Sequence, residues 1–275
     1  MPTGTPPSRK WVLLPIAAAI FLQAAPAASA PTFTKEAGIL LASAAVMQAA
    51  ITPPLQAGVY PLRLFFIRGS TAVYSASTDS GGLAWTEEAG VRLSTTTLPQ
   101  LDVSTITGLS ILPMADGRLR MLYSAIGTTG AFHIFSATSA ADGFTWFNDT
   151  GTRIEATSGS TFVGFPSLVK LSNGTWRVYY IQDSNGGNQV ADRQVFSALS
   201  TNEGLYFSSG SVVVAKTAGE VDATLLTNNK VRLFYTAPLT GETTNSTVLS
   251  GLSTDTNGSS FSLETGVRLS TLSSS

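Results

Sequence analysis

The 275-residue chain sets 16 Lys and Arg against 17 Asp and Glu, a formal charge of −1, with only 12 per cent charged residues. No basic excess is present to neutralise phosphates, which argues against a nucleic-acid partner. Cysteine is absent and His133 is the lone histidine, so disulfides, thiolate chemistry and multi-histidine metal sites are excluded and a Ser-His-Asp triad would depend on that one residue. Neither a cofactor nor a metal is expected.

Residues 1–30 read as an export signal. Arg9 and Lys10 precede an apolar run from Trp11 to Leu22, and Ala28, Ser29 and Ala30 follow as an A-x-A cleavage site. Twelve residues span about 18 Å as a helix, short of the ~30 Å hydrocarbon core, so a transmembrane anchor is the weaker reading. The expected product is secreted or periplasmic, spans no membrane after cleavage, and occupies residues 31–275 as a monomer. Removing Arg9 and Lys10 leaves 14 basic against 17 acidic residues.

The remainder repeats. WTEEAGVRL from Trp85 returns as WFNDTGTRI from Trp146 and FSLETGVRL from Phe261, with a shortened FSSGSVV from Phe207 and an early FTKEAGILL from Phe33. DGRLRMLY, NGTWRVYY and NNKVRLFY recur from Asp116, Asn173 and Asn228. A third element, VYSASTDSGG from Val73, returns at Ile134, Val195 and Val248. Each unit reads as four short strands a to d joined by Gly, Asn and Asp turns. Such units stack as the blades of an all-β propeller, with blades at about 59–97, 107–157, 165–215 and 220–270. Only the alanine-rich stretch Ala42 to Ala50 suits a helix. Residues 33–41 read as an orphan outer strand, which suggests a truncated five-bladed ring whose missing strands would follow Ser275; the alternative is a four-bladed ring with that strand packed elsewhere.

The c–d turns carry a resemblance. Ser77, Asp79, Gly81 and Trp85, and more tightly Ser139, Asp142, Gly143 and Trp146, resemble the Asp-box of bacterial sialidases; Asn202, Gly204, Phe207 and Asp255, Gly258, Phe261 are degraded copies. In that family these boxes are structural and lie opposite the active site. Sialidases of this type are six-bladed and use an arginine triad, for which this chain has no matching segment. The blade count is nearer to five-bladed glycosidases of the arabinanase, xylosidase and levanase type. Those often open strand a with Asp-Pro-Ser, the Asp working at the channel mouth; here Phe165-Pro166-Ser167 and Gly108-Leu109-Ser110 stand at that place, and Asp222 is the acid near it in blade four.

Taking d–a and b–c loops as the top face selects Asp102, Glu155, Asp183, Asp192, Arg193, Glu220 and Asp222. Asp102, Glu220 and Asp222 are the candidate catalytic carboxyls, since glycoside hydrolysis needs two. Phe165, Asp183 and Arg193 are the candidate substrate contacts. Arg120, Arg177 and Arg232 repeat at one position and read as architectural posts, and Arg92, Arg153 and Arg268 as outer-edge residues. The expected function is a secreted sialidase-like or glycosidase-like propeller with a glycan ligand, catalysis left open. The alternative is a non-catalytic carbohydrate-binding or protein-interaction propeller.

Overall fold

The computed structural model describes residues 46–52, 62–78, 84–98, 103–127, 130–156, 160–186, 189–238 and 245–270. The export segment, the strand expected at 33–41, the first Asp-box at Asp79 and Gly81, and Asp102 lie outside them. Four antiparallel blades are arranged as a propeller. Blade one has strand a Val46–Thr52, b Leu62–Arg68, c Ala72–Thr78 and a split d, Thr86–Glu87 with Leu93–Ser94. Blade two runs Val103–Pro113, Leu119–Gly127, Phe132–Ser139, then Trp146–Asn148 with Ile154–Glu155. Blade three is Val163–Lys170, Trp176–Asp183, Arg193–Ser200 and Ser211–Val214. Blade four is Val221–Leu225, Val231–Pro238, Asn245–Ser253, then Phe261–Leu263 with Leu269–Ser270.

Two expectations change here. Val46–Thr52 is a strand, not a helix, and pairs with Leu62–Arg68 as the inner strand of blade one. Blade one therefore begins at Val46 rather than near 59. Alanine favours a helix locally, but pairing to a neighbour overrides so weak a preference.

The core lies in seams between blades. Phe65, Ile67 and Val73 of blade one meet Leu109, Met121 and Tyr123 of blade two. Leu122 and Ile134 of blade two meet Trp176, Val178 and Tyr180 of blade three. Tyr179, Ile181 and Val195 of blade three meet Val221, Leu233 and Tyr235 of blade four. Strand b shows the consequence: Trp176–Asp183 is buried throughout because blade three is covered on both faces. Val231–Pro238 instead alternates buried and half-buried, the pattern of a sheet covered on one face.

A repeated polar node fixes each outer strand. The acids in the long repeat, Glu88, Asp149 and Glu264, pair with the strand-b arginines Arg63, Arg120 and Arg232. Strand c adds Ser75, Ser136 and Ser250, each donating to the same carboxylate. Arg177 has no such acid and donates to Ser197 at 2.9 Å. Arg92, Arg153 and Arg268 are not outer-edge residues in their surroundings. All three are buried, and Arg92 and Arg268 each donate to the strand-c serine at 2.7 Å. Burial lowers the pKa of Arg92 and of Arg153, with Glu88 and Asp149 opposing the shift.

The c–d turns cap themselves as their residues suggest. Asp142 accepts from the Phe144 N–H at 2.8 Å, Asn202 from Tyr206 at 3.0 Å and Asp255 from Ser259 at 3.1 Å. The aromatics of blades two and four pack on the preceding blade. Trp146 meets Phe65 edge-on at 5.6 Å, and Phe261 meets Tyr179 at 5.7 Å. Gly258 shows how close this approach is: it has φ +64°, and a Cβ there would lie 2.1 Å from the Tyr179 hydroxyl.

Candidate functional site

Strand a of every blade faces the axis, and together these strands bound a cleft of about 610 Å³. Gln48–Ile51, Leu109–Leu112, Pro166–Leu168 and Glu220–Thr224 line it. Phe234, Thr236 and Val248, from strands b and c of blade four, line it too. The cleft thus reaches past the axis along the half-covered face of blade four toward blade one.

Side-chain oxygens tie the inner strands together in sequence. Gln48 Oε1 accepts from the Leu109 N–H at 2.7 Å, joining blades one and two. Ser110 Oγ accepts from Leu168 N–H at 2.9 Å, joining two and three. Ser167 Oγ accepts from Ala223 N–H at 3.0 Å, joining three and four. Gly108 permits this approach, because a Cβ there would stand 2.9 Å from Gln48 Oε1 and 3.1 Å from Phe165 Cα.

Register then assigns the acids. Ser110 faces Leu122, Ser167 faces Tyr179 and Asp222 faces Phe234, each the second residue after a repeated arginine. Asp222 therefore holds the serine position of strand a. Glu220, two residues earlier, holds the position of Phe165 and Gly108, the one that the resemblance gives to the working Asp. Asp222 Oδ1 accepts from Ser167 Oγ and from Ala223 N–H, both at 2.9 Å. Glu220 is anchored by its main chain, its N–H donating to Thr236 Oγ1 at 2.9 Å and its carbonyl accepting from Thr236 N–H at 3.1 Å. As a residue Glu220 is exposed at the cleft, and desolvation by the surrounding protein raises the pKa of its carboxyl above the ordinary carboxylate range. Glu220 directly precedes the strand and Asp222 lies in it; both are exposed while Val221 between them is buried.

The other sequence candidates scatter. Asp183 is fully buried and its carboxylate accepts from Ser160 Oγ, from the N–H groups of Thr161 and Phe162 and from Thr161 Oγ1. It latches the loop entering blade three rather than rimming a pocket. Arg193 lies opposite it across the b–c pair and stacks on Phe162, its guanidinium carbon 3.7 Å from the ring centroid. Burial lowers the Arg193 pKa and the nearby Asp183 opposes that shift. Phe165 adopts φ +52° in the bulge of its strand, 5.8 Å from the Phe162 ring. None of these three lines the cleft. Glu155 accepts from Thr152 at 2.6 Å on the outer strand of blade two, and Asp192 lines a separate groove. His133 stands on strand c beside Phe135, with ring centroids 5.7 Å apart.

Gln48, Ser110, Ser167 and Thr236 are cleft residues that sequence reasoning passed over. Gln48 sat in the stretch suited to a helix, and the two serines were visible at the opening of strand a only as places lacking an acid. Among the described residues no group of three His, Cys, Asp or Glu comes together to hold a metal, and no helix is long and apolar enough to cross a membrane.

No family model and no curated protein matches the chain. Solved structures do match. The endo-arabinase of Bacteroides thetaiotaomicron VPI-5482 superposes with a TM-score of 0.65 at 11% identity, over 86% of this chain and 85% of its own. A thermostable family-43 glycoside hydrolase gives 0.63 at 11%, over 80% and 72%. The GH43_1 enzyme of Xanthomonas citri, complexed with xylotriose, gives 0.61 at 11%, over 83% and 75%. The likeness is one of fold. At such identity the chemistry has to be argued from the cleft itself.

Proposed function

We propose that this protein is an exported glycosidase-like propeller that takes a saccharide into the axial cleft and acts on its glycosidic bond through Glu220 and Asp222. The observation that carries the reading is the placement of these two acids. Glu220 immediately precedes the inner strand of blade four and Asp222 stands two residues on, and both line the mouth of a cleft large enough for a short oligosaccharide. A raised pKa suits Glu220 to proton donation toward the leaving oxygen. Asp222, oriented by Ser167 and the Ala223 N–H, is the partner carboxylate. The propeller hydrolases that share the fold, one of them holding xylotriose, support the substrate class. Asp102 belongs to the same proposal as a third candidate carboxyl, and the charged, apolar and A-x-A pattern of residues 1–30 supports export.

The test is release of sugar from a panel of aryl glycosides and linear arabino- and xylo-oligosaccharides. Glu220→Gln and Asp222→Asn should each lower kcat by a hundredfold or more with little change in KM, and Asp102→Asn reports on the third acid. No turnover of any panel member by the wild-type protein would overturn the catalytic reading. Saccharide binding that survives both substitutions would then favour the non-catalytic binding module.

A further inference from the structure

A second concavity, of about 640 Å³, lies at the seam of blades three and four, on the side that carries their b–c and d–a loops. Its floor is the b–c loop of blade three and the residues that follow its strand d, drawn together by Thr217 Oγ1 donating to Ala191 O at 3.0 Å and Ala218 N–H donating to Arg193 O at 3.0 Å. Ser184 Oγ donates to Asp192 O at 3.1 Å and closes the loop on itself. The far wall is apolar, made by Ala237, Pro238 and Leu249 of blade four. Tyr235 lines both this groove and the axial cleft, so the two are separated by one strand.

Asp192, Gln194 and Lys216 project into the groove, and among the described residues their side chains make no hydrogen bond or ion pair. A carboxylate, a carboxamide and an ammonium on one wall, opposite an apolar wall, are a donor and acceptor set whose formal charge sums to zero. An anionic ligand meets Asp192 and a cationic one meets Lys216, so neither is favoured. A neutral polyhydroxylated ligand satisfies all three. Vicinal hydroxyls donate to the carboxylate, accept from the ammonium and do both with the carboxamide, while the C–H face of a sugar ring lies on Pro238 and Leu249.

We propose that this groove is a second saccharide site, beside the axial cleft and separate from Glu220 and Asp222, that holds a neutral glycan at the seam of blades three and four without acting on it. The proposal does not depend on Glu220 or Asp222 being catalytic.

The test titrates the full chain with xylotriose, cellotriose and maltotriose and follows backbone amide chemical shifts. At least one of these should move the amides of Asp192, Gln194, Lys216 and Thr217 saturably. Asp192→Ala should weaken that response tenfold or more, as should Gln194→Ala, whose half-buried side chain makes no hydrogen bond among the described residues and so can be truncated with the fold intact should the first variant fail to fold. The Glu220→Gln and Asp222→Asn variants should leave the groove response unchanged. No movement of these amides with any of the three sugars at millimolar concentration overturns the proposal, whatever the cleft does. Movement that persists undiminished in both Asp192→Ala and Gln194→Ala overturns it as well.

Discussion

Glu220 and Asp183 show how much a single carboxyl depends on its surroundings. Asp183 is saturated with donors and serves the loop it holds. Among the described residues Glu220 has only its backbone tied down, by Thr236, and desolvation favours its neutral form. The sign of the resulting pH dependence follows. A carboxyl whose folded pKa is raised stabilises fully below its unfolded pKa, about 4.3 for Glu, and that contribution is lost as pH rises through the folded value. Melting curves of wild type and Glu220→Gln recorded across this window should therefore converge or cross in favour of the amide as pH rises. Under the proposed chemistry, kcat should fall on the same alkaline side in step with loss of the Glu220 proton. A melting difference that grows in favour of wild type with rising pH would contradict the assignment.

At the scale of the element, the acid–arginine–serine node is what makes a split outer strand possible. Strand d of blade two is interrupted between Asn148 and Ile154, and Asp149 in that gap accepts from Arg120, Ser136 and Thr138. This draws the interruption back onto strands b and c. Burial makes the arrangement stringent, since removing one partner strands the other charge. Asp149→Ala should cost about 3–5 kcal/mol, a drop in Tm on the order of 10 °C, measured by calorimetry. Blade three reached a different solution: its outer strand is continuous from Ser211, and Tyr180 fills the space beside Gly210, where a Cβ would lie within 1.8 Å of the hydroxyl. Burial pushes the Tyr180 pKa up to about 12, so that hydroxyl stays neutral across the ordinary pH range.

Across the whole molecule, stability resides in nearest-neighbour seams, as in other repeat architectures. Each seam combines an apolar cluster with an inner-strand clasp through Gln48, Ser110 or Ser167. Ser167 belongs both to the clasp between blades three and four and to the orientation of Asp222. Ser167→Ala removes two hydrogen bonds, worth roughly 0.5–1.5 kcal/mol each. Hydrogen exchange should show the Ala223 amide losing protection while those of Leu109 and Leu168 keep theirs. Equal loss at all three amides would mean that the clasps act as one cooperative unit rather than seam by seam.

The blade repeat, the self-capping turns and the architectural role of the strand-b arginines were legible in the residues, because each is written in local chemistry that recurs at a steady spacing. Glu220 and Asp222 were legible as candidates, since they are acids at the opening of an inner strand. Their register was not. Only the pairing of Asp222 with Phe234 shows that Asp222 matches a serine and that Glu220 holds the mouth position. The inner strand of blade one stayed hidden because alanine carries a helical preference that only pairing with Leu62–Arg68 overrides. Asp183 and Arg193 looked like loop residues because burial is decided by what folds over a segment from elsewhere. Local sequence thus determined the strands and turns of this protein, while long-range packing decided which faces meet, since the energy of a seam belongs to pairs of blades and is written in neither alone.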